Sequence, residues 1–322
     1  MIYRTIPNTD LHASVISIGT AEIGGSIDTE TSYKILDLYI EKGGNLIDTA
    51  HVYADWHNKE RSSSEKTIGK WLKQRGNRDK VILVTKGGHP EVNTMHISRL
   101  SRDEILKDID ESLQFLGVDF IDIYYLHRDN TKIPASELIE ILNEKIKEGK
   151  IRYIGCSNWR WERIEEANSY AKSKGLKPFV ISQIQWSYAT INPGSIKDKT
   201  LVAMDENELE FYKKNKLPVA AFTSQAMGFF SKLDTVGIAG LKQDVKDIYL
   251  NEENLKRYER LKEVAKQLNT TISAVTLAYL TSQEFPVYPI IGPKNIEQLE
   301  DSLSYADLQL DKQTIEYLEG IK

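Results

Sequence analysis

Eight short apolar runs, each followed by a connection long enough for a helix, constrain the fold more than any other feature of this chain. The runs cover residues 16–20, 46–48, 81–85, 121–126, 151–155, 179–184, 218–222 and 285–291. Helical spacing separates them: Ile35, Leu36, Tyr39 and Ile40 in 29–42, then Ile105, Ile109, Leu113 and Leu116 before Gly117, and further helices over 135–148 and 160–174. Gly43, Gly149 and Gly175 stop three of these helices. Ser62 with Glu65, and Ser101 with Glu104, have the spacing of capping boxes. The run 81–85 is apolar almost throughout, as a strand covered on both faces requires. Strand-helix alternation argues for parallel βαβ units, and eight of them for a closed (β/α)8 barrel of the TIM type, a single domain over 1–322. An open doubly wound sheet is the weaker alternative, because no glycine-rich dinucleotide fingerprint follows the first strand. Asn8-Thr9-Asp10 between the extended pieces 2–6 and 12–17 predicts an N-terminal β-hairpin. Residues 312–319 predict an additional C-terminal helix covering the outside.

Three connections, 87–100, 187–203 and 223–251, are too long for ordinary βα loops. All follow strands at their carboxyl ends, the face on which barrels carry their sites. The first and third are expected to act as lids or substrate-selecting loops.

Charge and cysteine usage narrow the function. The formal charge is −5, which argues against general binding to nucleic acid or anionic membranes. A lone cysteine, Cys156, excludes an internal disulfide framework and a multi-cysteine metal site. No run approaches membrane-spanning length, so the expected setting is cytoplasmic.

Chemistry collects at the strand ends. The second run ends in Asp48, with Tyr53 five residues on; the third leads into Lys86, and the fourth into His127. A phenol with a pKa near ~10 is a weak acid. An ammonium beside it should lower that value, and an aspartate should hold the ammonium charged and fixed. Singly, each residue has a duller explanation as a cap, a packed ring, a loop lysine or a satisfied core histidine. Together they make a proton donor for an oxygen that becomes negative, as carbonyl reduction requires. No side chain supplies hydride, so a nicotinamide cofactor is expected next to them.

Asp48-Thr49-Ala50 with Tyr53, Thr85-Lys86 and Leu126-His127-Arg128 resemble the signature of the aldo-keto reductases, and Ser64-Glu65 with Ile68-Gly69 matches a further pattern of that family. The resemblance implies Tyr53 as general acid/base, with Asp48, Lys86 and His127 tuning and orienting it. By the same resemblance Ser157, Asn158 and Gln183 hold the nicotinamide carboxamide, and Phe222, followed by Thr223, stacks on its ring. Gly292, Lys294, Gln298 and Asp301 match the loop at the adenosine end. A cation at Lys294 implies NADPH/NADP+ in preference to NAD, and helix N–H groups after Gly292 suit a phosphate. The partner implied is a small-molecule carbonyl substrate, an aldehyde, ketone or sugar-like carbonyl. Trp56, Trp159 and Phe229 are expected to wall its pocket.

The chain departs from the family pattern in three places. Arg128-Asp129-Asn130 replaces a residue followed by Pro-Asp, Ser302 stands where asparagine is common, and Lys294 replaces a frequent arginine. Two rival readings remain open at this point. One is a barrel lyase forming a Schiff base on Lys86. The other is an NADP(H)-binding, redox-sensing regulatory subunit with slow turnover.

Overall fold

The computed structural model describes residues 1–57 and 60–321. Strands β1 (Tyr3–Thr5) and β2 (His12–Ser14) form the antiparallel hairpin, shorter than the sequence pattern implies. Ile6, Leu11 and Ala13 around it are buried against Leu46, Val84, Tyr125 and Tyr288 inside the barrel. Asp10 at its turn receives Arg152 at 2.7 Å and Tyr153 at 2.9 Å, both from the start of a barrel strand. The hairpin therefore closes the amino-terminal end of the barrel, away from the strand ends that carry the candidate site residues.

The barrel itself is β3 (Ser17–Gly19), β4 (Leu46–Asp48), β5 (Ile82–Gly87), β6 (Ile121–Leu126), β7 (Ile151–Ser157), β8 (Phe179–Gln185), β9 (Val219–Phe222) and β10 (Val287–Ile291). All pairings are parallel, and β10 bonds both β9 and β3, so the sheet closes as expected. The strands begin and end within two residues or so of the apolar runs; Pro286 precedes β10 and Pro289 lies within it, opposite Ala221. Gly155 is required by packing: a Cβ there would come within 2.2 Å of the Tyr125 ring.

Helices α1 (Thr29–Glu41), α2 (Ser63–Arg75), α3 (Arg102–Leu116), α4 (Ala135–Lys147), α5 (Trp161–Lys174) and α6 (Glu206–Asn215) surround the first part of the barrel. The capping box at Ser101 forms with both arms. The one expected at Ser62 does not. Ser62 adopts a left-handed conformation (φ 56°) and donates its hydroxyl to the His51 carbonyl. Glu65 turns inward, fully buried, and accepts from the Thr85 hydroxyl. Tertiary hydrogen bonding thus displaces the local motif.

The third long connection is not irregular. It holds α7 (Phe229–Gly240), bent at Gly237 (φ 64°), and α8 (Gln243–Tyr249). Gly237 interrupts the apolar period of α7, and α8 spans only 7 residues, too few to show a period in the sequence. The chain continues through α9 (Glu252–Gln267), α10 (Ile272–Thr281), which is buried on every side, α11 (Ile296–Leu303) and α12 (Lys312–Glu319). The last helix lies on the outside as expected: Leu318 is buried, and its carbonyl accepts from Arg260 and Tyr188. No described helix is long and apolar enough to cross a membrane.

Candidate active site

At the carboxyl end of the barrel, the chain after Asp48 keeps running beside β5. Thr49 N donates to Val84 O and His51 N donates to Lys86 O, each at 2.9 Å. A turn then carries Tyr53 over Lys86, fixed by Ser62 from both sides: its hydroxyl on His51 O and its N–H on Asp55 Oδ1 at 2.6 Å. Parallel register alone would not place the phenol. The backbone bonds of residues 49–53 do so.

Lys86 is fully buried, and its Nζ donates to Asp48 Oδ1 at 2.6 Å, Thr49 O at 2.8 Å and Tyr53 Oη at 2.9 Å. All three ammonium hydrogens are used. Burial alone would lower the lysine's pKa, but Asp48 and Tyr53 more than offset this and hold it above its usual range. Asp48 is fixed from its other oxygen by Gln183 Nε2 at 2.7 Å. The His127 ring meets the Tyr53 ring edge-on, with centroids 5.8 Å apart. Burial keeps His127 well below the usual histidine range, helped by His89, Arg128 and Lys86, so its imidazole is neutral. Its Nδ1 is buried without a hydrogen-bond partner among the described residues.

The phenol differs from the sequence expectation. Lys86 does pull its pKa down, but burial outweighs the lysine, and the net shift is upward from 10. Tyr53 is therefore a protonated acid at neutral pH rather than a phenolate.

A cleft of about 1000 Å³ runs from these residues across the barrel mouth. Asp48, Tyr53, His127, Ser157, Asn158, Gln183 and Phe222 line one end, and Gly292, Lys294, Gln298, Asp301 and Ser302 the other. Asn158 spends its amide on the protein: Nδ2 donates to Ser157 Oγ at 3.0 Å and His127 O at 3.3 Å, and Oδ1 accepts from Val202 N at 3.1 Å. It holds the ends of β6 and β7 together. Phe222 is half-buried, and Thr223 adopts a left-handed turn (φ 54°) beside it. Gln298 Oε1 accepts the Lys294 N–H at 2.8 Å, and Asn295 caps α11 through Gln298 N.

Two expected pocket walls are not walls. Trp159 is fully buried behind the strands, its ring 5.1 Å from Phe179 and its Nε1 donating to Arg128 O at 3.1 Å. Phe229 is fully buried as well, against Phe230 and Tyr249. Trp56 alone reaches the site: 42% exposed, it meets the Tyr53 ring edge-on at 6.0 Å. Other cleft residues were not singled out in the sequence, notably Gln225, Ser231, Lys232, Lys242 and Ser273. Gly228 (φ 77°), which turns the chain into α7 above the cleft, was the available signal for the first three.

The cleft fits a nicotinamide dinucleotide by its own chemistry. One end has a neutral imidazole, a serine hydroxyl and a primary amide beside a half-buried aromatic ring. The other has lysines and the opening turn of a helix, suited to phosphates. The chain as a whole is similar to known proteins. The family model for the aldo/keto reductase family matches residues 15–322. An aryl-alcohol dehydrogenase [NADP(+)] of Phanerodontia chrysosporium is 30% identical over 97% of this chain and 83% of its own length. Norsolorinic acid reductase A of Aspergillus parasiticus is 27% identical over 96% of the chain and 78% of its own. A crystal structure of a thermostable aldo-keto reductase with the inhibitor epalrestat superposes with a TM-score of 0.73 at 25% identity, covering all of both chains. The chain belongs to the aldo/keto reductase family and is an oxidoreductase.

Proposed function

We propose that this protein reduces aldehyde or ketone carbonyls to alcohols with NADPH, with Tyr53 giving the proton to the carbonyl oxygen. The observation that carries this reading is Lys86 Nζ, bonded at once to Asp48 and Tyr53, both of which line a cleft of dinucleotide size. Nicotinamide, when bound, supplies the hydride. The chain's own residues do the rest. Tyr53 holds the proton to be donated, and Lys86 stabilises the phenolate left behind. Asp48 keeps Lys86 charged. Neutral His127 offers a ring nitrogen to the same oxygen and adds no competing charge. Ser157 and Gln183 hold the carboxamide of the nicotinamide, and Phe222 supports its ring. Lys294 meets the 2′-phosphate that distinguishes NADP(H), with Gln298 and Asp301 beside the adenosine.

The name of one relative couples NADP(+) with an aryl alcohol, which favours both the cofactor choice and an aromatic substrate beside Trp56. A Schiff base on Lys86 is disfavoured, because a fully bonded, charged ammonium has no lone pair to attack with. The test is a panel of aromatic and aliphatic aldehydes, ketones and sugars followed by NADPH absorbance, with NADPH deuterated at C4. Alcohol carrying deuterium on the former carbonyl carbon is the expected product. No NADPH consumption with any carbonyl would overturn the proposal.

A further inference from the structure

Arg128, directly after His127, lines the same cleft as Tyr53 and is only 8% exposed. A guanidinium this buried is ordinarily held by a closely matched carboxylate. Here the carboxylate is Asp198, 3.3 Å away at Nη2 and 30% exposed on the 187–203 connection. Its other bonds are to neutral oxygens, Nε to Thr200 Oγ1 at 2.8 Å and Nη1 to His127 O at 2.9 Å. An arginine has five N–H donors, so one on each terminal nitrogen remains. Neighbouring charges do not fill the gap. Asp129 is bound by Arg163 at 3.1 Å, and Asp48 is matched to Lys86. His127 and His89 are both neutral, His89 held by burial at about 4. The wall beside the phenol thus carries a buried positive charge with a weak counter-charge and, among the described residues, two unused guanidinium donors, which suit a carboxylate.

We propose that Arg128 is a specificity-determining residue that binds the carboxylate of carbonyl substrates bearing one. This rests on the carbonyl-reductase reading above and adds the acidic substituent to it. Formation of the pair requires no movement of charge other than partial release of Arg128 from Asp198, whose side chain can turn to solvent.

The experiment compares 2-, 3- and 4-carboxybenzaldehyde with their methyl esters, pairs that differ in charge at one position. With the wild-type enzyme and NADPH, at least one acid should exceed its ester about tenfold in kcat/KM, mainly through KM. Arg128→Met should bring that ratio to near one, and Arg128→Lys should restore part of it. Asp198→Asn, which removes the competing carboxylate and leaves Arg128 in place, should lower KM for the acid a few-fold and leave KM for the ester alone. This variant decides the matter if Arg128→Met does not fold. A purely structural role for Arg128 would change both substrates together. Acid-to-ester ratios near one in the wild type, or an unchanged ratio in Arg128→Met with no response in Asp198→Asn, overturn the proposal. Reduction of the esters alone would leave the reductase reading standing, whereas no reduction of any compound in the series would count against that reading first.

Discussion

Asp48 and Lys86 give a test that separates their structural from their chemical role. Their charges are 2.6 Å apart, which at an effective dielectric of ~20 is an attraction of on the order of 6 kcal/mol. Desolvating two buried ions offsets most of it, so the pair as a whole should contribute little relative to a neutral pair of similar size. Removing one member is different, because the other is left buried and uncompensated. Lys86→Met strands Asp48 with Gln183 as its remaining donor, and Asp48→Asn strands the ammonium with Thr49 O and the phenol. Each single variant should lose about 3–5 kcal/mol, read from urea unfolding midpoints and slopes. The double variant Asp48→Asn/Lys86→Met should lie within about 1–2 kcal/mol of the wild type. Its turnover should not recover, since no ammonium stabilises the phenolate, and should stay about 100- to 10,000-fold below the wild type. Additive stability losses in the double variant would rule out a mutually compensating buried pair, and recovery of turnover along with stability would rule out a chemical role for Lys86.

Three further outcomes follow from particular residues. Lys294→Ala should raise the Kd for NADPH about 5- to 30-fold in a fluorescence titration and leave that for NADH nearly unchanged, and equal effects would remove Lys294 from the 2′-phosphate. Burial pushes the Glu65 carboxyl up from 4.5 to about 7, so the folded protein binds more protons than the unfolded chain in that window. The stability this confers is complete below the unfolded value and is lost as pH rises through about 7, on the order of 3 kcal/mol. Glu65→Gln should lack that slope, and unfolding midpoints of the two proteins measured from pH 5 to 8 should therefore diverge in favour of the variant. Phe229→Ala should cost about 3–5 kcal/mol by opening a core cavity without altering KM for the carbonyl substrate, and a selective rise in KM would return Phe229 to the pocket.

Strand-end chemistry was readable from the sequence because buried parallel strands force it. Every residue of β5 and β6 is buried, so Lys86 near the end of β5 and His127 just past β6 are held at the carboxyl end of the barrel, Lys86 beneath Tyr53 and His127 lining the cleft. Where a turn sets direction, residue order does not reveal which way a side chain faces. Asn158 is left-handed (φ 60°), and the residue after it, Trp159, swings behind the strand instead of over the cleft. Gly228 reverses the chain in the same way, delivering Phe229 to the core and Ser231 and Lys232 to the cleft. No periodicity encodes such a reversal. Glu65 was misread for another reason: its capping spacing was real, but a buried threonine one strand away competed for the carboxyl. The net rise of the Tyr53 pKa was equally hidden, since residue types reveal a neighbouring lysine but not the depth of burial.

In the proposed reaction the Tyr53 phenol gives up the proton. Tyr53→Phe keeps the ring against His127 and Trp56 and removes only the hydroxyl that Lys86 holds. The deciding measurement is single-turnover reduction of a good aldehyde by NADPH, alongside the NADPH Kd of the same protein. A rate reduced about 100-fold or more, with Kd unchanged within about twofold, is the predicted result. A rate within about tenfold of the wild type would contradict the assignment of Tyr53 as the acid.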